Sequence, residues 1–99
     1  MSRLEEKLIE LGYELTIVEY MNNKQLCKTY EKPFKHCYIV VWAYTQYEYL
    51  RKPYHLFIKY NHDTFARQEV IDNLQQAFNT MQKDLEELKK YEDKNIWLL

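Results

Sequence analysis

Residues 37–44 read Cys-Tyr-Ile-Val-Val-Trp-Ala-Tyr, eight positions without a charge. A helix needs about 20 apolar residues to cross a bilayer, so this run is too short to span one. Its β-branched and aromatic side chains suit a pleated surface. Within a strand expected over 36–44, period-two alternation sends Cys37, Ile39, Val41 and Ala43 to one face. Tyr38, Val40, Trp42 and Tyr44 fall on the other. A strand uncharged on both sides belongs in the middle of a sheet. The remaining chain must therefore provide neighbouring strands and a cover for at least one face.

The flanking sequence provides both. Ser2 and Glu5 form a capping box, and Leu4, Leu8 and Leu11 recur at helical spacing with Ile9 beside them. A helix is expected over 2–11, closed by Gly12, the single glycine, in a left-handed C-terminal cap. Residues 13–20 then read as a strand, with Leu15 and Ile17 on one side and Thr16, Val18 and Tyr20 on the other. Asn22-Asn23 signals a turn. A shorter strand is expected over 25–30, broken at Lys32-Pro33. Residues 45–53 form a polar, Tyr-rich loop or ragged hairpin end, and 54–60 a fourth strand with Leu56 and Ile58 opposed to His55, Phe57 and Lys59.

Asn61 to Thr64 reads as a loop with Asp63 or Thr64 as helix N-cap. A long helix is expected from there to about residue 91. Ile71, Leu74, Phe78, Met81, Leu85 and Leu88 follow at spacings of 3, 4, 3, 4 and 3, a heptad seam. Glu86 and Lys90 make a favourable i,i+4 pair. The expected fold is a single α+β domain over 1–99. It has two layers in the order α-β-β-β-β-α: a four-stranded antiparallel sheet, a short N-terminal helix and a long C-terminal helix, with the helices on one face.

Two features exceed what that architecture needs. About 28 helical residues outreach an eight-residue strand. Phe78, Met81, Leu85 and Leu88 then need cover, either from the first helix or from a second copy of the chain. The face opposite the helices would carry Val18, Tyr20, Tyr38, Trp42, Tyr44 and Phe57. A patch that large binds something unless the sheet curls or the Trp97-Leu98-Leu99 tail folds over it.

Charge is partitioned as well. Residues 1–23 carry −3, residues 24–62 carry +5 and residues 63–99 carry −3, within a total of −1. The strand region is basic and the helices acidic. A charged, acidic start and two cysteines favour a cytoplasmic protein with reduced thiols. Lys, Asn, Tyr and Ile, all abundant here, have AT-rich codons, which suggests an AT-rich bacterial or phage genome.

Catalytic and metal signatures are missing. Cys27, His36, Cys37, His55 and His62 match no zinc spacing, although a hairpin would draw Cys27 toward Cys37. Asn61-His62-Asp63 is explained by a strand-to-helix loop. His55 with Glu48 is a pairing any chain of this size offers. One glycine cannot build a phosphate loop. The expectation is a small non-enzymatic protein-interaction module without cofactor or metal. It would be a phage or mobile-element accessory protein that binds and modulates or inhibits a host macromolecule. The alternative is a single-stranded nucleic-acid-binding protein using the same basic aromatic face, though the RNP1 pattern is absent. Partner contacts are assigned to Tyr20, Tyr38, Trp42, Tyr44, Phe57, Lys28, Lys35 and Lys59, and contacts of a homodimer to Phe78, Met81, Leu85 and Leu88.

Overall fold

A computed structural model describes residues 3–44, 54–60 and 67–92. The element order is α1 (Arg3–Glu10), β1 (Glu14–Met21), β2 (Lys24–Pro33), β3 (Cys37–Tyr44), β4 (Tyr54–Tyr60) and α2 (Gln68–Glu92). The four strands form one antiparallel sheet in the order β1-β2-β3-β4. This is the α+β arrangement expected, with the uncharged strand inside the sheet. The expected loop over 45–53, the caps at Asp63 or Thr64 and the 96–99 tail lie outside the described residues.

Local chemistry sets the boundaries. The Gly12 amide donates to the Ile9 carbonyl and the Tyr13 amide to the Leu8 carbonyl, both at 3.0 Å. This double closure terminates α1 and requires Gly12 at φ +98°. Leu8 and Tyr13, the residues it brackets, both enter the core. Asn22 and Asn23 take φ values of 52° and 64°, and Met21 pairs with Lys24. A two-residue hairpin turn with both central residues left-handed matches the twist of its strands. β2 runs three residues past its expected end. Pairing with β1 stops at Glu31, so at Pro33 the strand has β3 alone as neighbour, where a missing amide donor is tolerated.

Two irregularities alter the facing of β1. Thr16 is an extra residue between the Leu15–Tyr30 and Ile17–Thr29 pairs, and Leu26 is an extra residue in β2 between the Glu19–Cys27 and Tyr20–Gln25 pairs. A bulge shifts the alternation by one. Ile17 therefore shares a face with Thr29, while Val18 pairs with Lys28 on the helix-facing side and Tyr20 follows it. The expected assignment of Val18 and Tyr20 to the helix-free face is corrected on this ground.

Both helices lie on one side of the sheet, with α2 over β3 and β4. Leu4, Leu8, Tyr13, Tyr30, Cys37, Ile39, Val41, Ala43, Tyr54, Ala77 and Leu88 form the buried core. The heptad seam is rotated from its expected phase. Val70, Ala77, Asp84 and Leu88 are buried, whereas Ile71 and Phe78 are 51% and 45% exposed. Leu74, Met81 and Leu85 pack against the core from its margin. The C-terminal half of α2 is flanked by α1, whose Lys7 lies 3.6 Å from Glu87. Of the four residues assigned to a homodimer, Leu88 is fully buried in its own chain, Met81 and Leu85 are partly buried there, and Phe78 stands out.

Candidate functional site

β2 presents Lys28, Tyr30 and Lys32 to the helices, since these residues pair with Ala43, Val41 and Ile39 of the core face. Tyr30 fills the centre, and burial together with nearby Glu5 pushes its hydroxyl up to about 12. On either side a lysine meets a helical acid: Lys28 lies 2.7 Å from Glu5 of α1, and Lys32 lies 2.7 Å from Asp84 of α2. Glu5 and Asp84 are 6% and 5% exposed, so these are largely dry contacts. Asp84 also accepts a 2.7 Å hydrogen bond from the Tyr13 hydroxyl, and the Lys32 ammonium sits 4.6 Å over the Tyr13 ring. Desolvation, then the hydrogen bond and charge of Asp84, raise the Tyr13 hydroxyl far above the ordinary tyrosine range.

A third cross-layer pair fastens the β2–β3 turn to the start of α2. Lys35 pairs with Glu69, and His36 Nε2 lies 3.2 Å from the same carboxylate. The Lys35 hydrogen bond, followed by that of His36, holds the Glu69 carboxyl below its usual range. The His36 amide donates to Asn73 Oδ1 at 2.8 Å, and the buried Cys37 thiol points to the same oxygen at 3.6 Å. These three pairs neutralise part of the charge partition between basic strands and acidic helices across the layer interface. Lys28 is turned away from the helix-free face, contrary to its expected place there, and Lys35 is engaged by Glu69.

The helix-free face is built from rows across the pleat. One row runs Ile17, Thr29, Trp42, His55; another runs Glu14, Glu31, Val40, Phe57. Glu19, Cys27 and Tyr44 form a third, and Pro33, Tyr38 and Lys59 a fourth. Thr29 is 5% exposed between Ile17 and Trp42, which stand out at 52% and 42%. Trp42 meets Phe57 edge-on, with ring centroids 4.9 Å apart, and Tyr44 meets His55 the same way at 5.6 Å. Tyr38, Tyr44 and Phe57 are half-buried. Burial, then the charge of Glu19, pushes the Cys27 thiol up, and burial with Cys27 and Glu19 raises Tyr44. On this face the acids Glu14, Glu19 and Glu31 stand against two lysines, Lys59 and Lys24, the latter opposite Met21 at the hairpin end.

Cys27 and Cys37 are both free and buried. They pair with Tyr44 and Tyr60, at opposite ends of the β2–β3 ladder, so the hairpin does not bring them together. Among the described residues no group of three or more His, Cys, Asp or Glu is placed to hold a metal ion. No described helix is long and apolar enough to cross a membrane. Sequence reasoning missed Ile17, because nothing in the residue pattern marks Thr16 as the bulge. It also missed Glu5 and Asp84 as buried partners. Asp84 left one trace, falling seven residues after Ala77 and fourteen after Val70. No family model, no curated protein and no solved structure matches this chain.

Proposed function

We propose that the chain is a non-enzymatic protein-interaction module that docks through the helix-free face of its sheet. The carrying observation is Trp42, 42% exposed between Ile17 and Phe57 while the helices occupy the other side. A partly exposed Trp braced by a second ring has the form of an interface anchor. Charge favours a protein over a nucleic acid as partner. Phosphate binding needs accessible cations, yet Lys28, Lys32 and Lys35 are held by helical acids and the face carries Glu14, Glu19 and Glu31. In this reading the module is a cytoplasmic accessory protein of a phage or mobile element. It occupies a surface of a host macromolecule and inhibits it by occlusion.

The test compares tagged wild-type protein with Trp42→Ala in nuclease-treated lysate of a low-GC bacterium. Loss of an anchor is worth about 2 kcal/mol or more, roughly 30-fold in affinity, so the variant should lose the retained partner. Equal retention by both proteins would refute the Trp42 face as the docking surface. Tight, steeply salt-dependent binding of a single-stranded thymidine oligonucleotide, weakened by Lys59→Ala, would replace this reading with nucleic-acid binding.

A further inference from the structure

Seven of the eight β1 residues are exposed. Leu15, Ile17, Tyr20 and Met21 stand out at 48%, 52%, 62% and 59%, and they are distributed over both faces of the strand. β1 is also an outer strand of the sheet, so alternate amides and carbonyls point away from β2. Natural edges are usually blunted by lysine, proline or a covering segment. β1 contains neither residue, its guards being Glu14, Glu19 and the Thr16 bulge, and among the described residues α1, at eight residues, is too short to lie along it.

We propose that β1 is the docking edge for an extended segment of another protein, with basic and apolar residues in alternation, added to the sheet as a fifth strand. The main chain supplies the ladder, and the apolar side chains on both faces supply lateral contacts for alternate residues of the incoming strand. Charge selects a basic occupant. Residues 8–23 contain Glu10, Glu14 and Glu19 and no Lys, Arg or His. Glu14 faces Glu31 directly across the β1–β2 pair. Neither carboxylate has an ion-pair partner among the described residues. Directly opposed like charges are unfavourable, and an arriving lysine relieves them. A second copy of the chain would instead bring another acid-only strand against this one. Trp42 lies on β3, two strands from this edge, while Glu14, Ile17 and Glu19 belong to both the edge and the helix-free face.

The experiment titrates 15N-labelled full chain with an acetylated and amidated (Lys-Val)4 peptide, alongside (Glu-Val)4 and a (Lys-Val)4 peptide N-methylated at every residue, which leaves neither edge able to donate. The Lys-Val peptide should shift the Glu14–Met21 amides and slow hydrogen exchange at alternate positions. The Glu-Val peptide should bind roughly tenfold more weakly, and N-methylation should abolish binding. Glu14→Lys combined with Glu19→Lys, both exposed and so compatible with folding, should exchange the preference between the two peptides. Trp42→Ala should leave the titration unchanged even if the docking face has been refuted. Shifts confined to β3 and β4, equal binding of the Lys-Val and Glu-Val peptides, or undiminished binding of the N-methylated peptide would overturn the proposal. So would a free protein that sediments as two chains and returns to one on Ile17→Lys, because a second copy would then occupy the edge.

Discussion

The Lys32 ammonium lies 2.7 Å from Asp84 Oδ2, joining two side chains 52 residues apart. The same oxygen accepts from the Tyr13 hydroxyl. Asp84 is therefore the point at which α2, β2 and the segment leaving α1 are tied together. A largely buried pair is costly to break one side at a time, because the remaining charge stays out of water. Asp84→Ala should destabilise the fold by about 3 kcal/mol or more in urea unfolding. The paired replacement Lys32→Met with Asp84→Leu should cost less than Asp84→Ala alone, since it removes both charges.

Tyr30 provides a pH test. Its hydroxyl titrates at about 12 in the folded chain against about 10 unfolded. Between those values the folded state holds a proton that the unfolded state releases. The stabilisation is whole below about pH 10 and is lost as pH rises through about 12. Urea midpoints measured between pH 9 and pH 12, on the ordinary tyrosine scale, should fall more steeply for the native sequence than for Tyr30→Phe. Parallel slopes would contradict the assignment.

The phase of α2 is tested by neighbouring positions. Ala77 is wholly buried beneath the helix and Phe78 is 45% exposed beside it. Ala77→Leu should cost about 1–3 kcal/mol by overpacking, while Phe78→Ser should stay within about 0.5 kcal/mol. The heptad reading from hydrophobicity alone forecasts the reverse order.

That contrast shows how much of the molecule was legible beforehand. The element order, the Gly12 cap, the Asn22-Asn23 turn and the inward set Cys37, Ile39, Val41 and Ala43 all follow from local rules that the fold respects. Faces were less legible, because they depend on single-residue offsets. Thr16 moves Ile17 onto the open face and Val18 off it, and no propensity scale separates Thr16 from its neighbours. In α2 the larger residues Ile71 and Phe78 outscored Val70, Ala77 and Asp84. The inward stripe had to accommodate a close approach at Ala77 and a partner for Lys32 at Asp84. The charge of the strand region was visible. Its destination was not, because pairing across layers is a tertiary property.

The α1 terminus gives a cleaner local test. A Cβ on Gly12 would meet Lys32 Cε at 3.6 Å, an ordinary contact, so space is available. The cost of Gly12→Ala is conformational, set by φ +98°, and should be about 1–2 kcal/mol in thermal or urea unfolding. A neutral effect would show that the cap is not required.

The ion pairs between layers also bear on how the chain is made. Synthesis from the N terminus yields −3 by residue 23, +2 by residue 62 and −1 at the end, so the growing chain changes sign twice. Glu5 is already present when Lys28 emerges, but Lys32 and Lys35 must wait for Glu69 and Asp84, which arrive with the last third. Until then Lys32 and Lys35 lack the acids that neutralise them in the finished fold. Two of the three ties between the layers thus form only once α2 has been made.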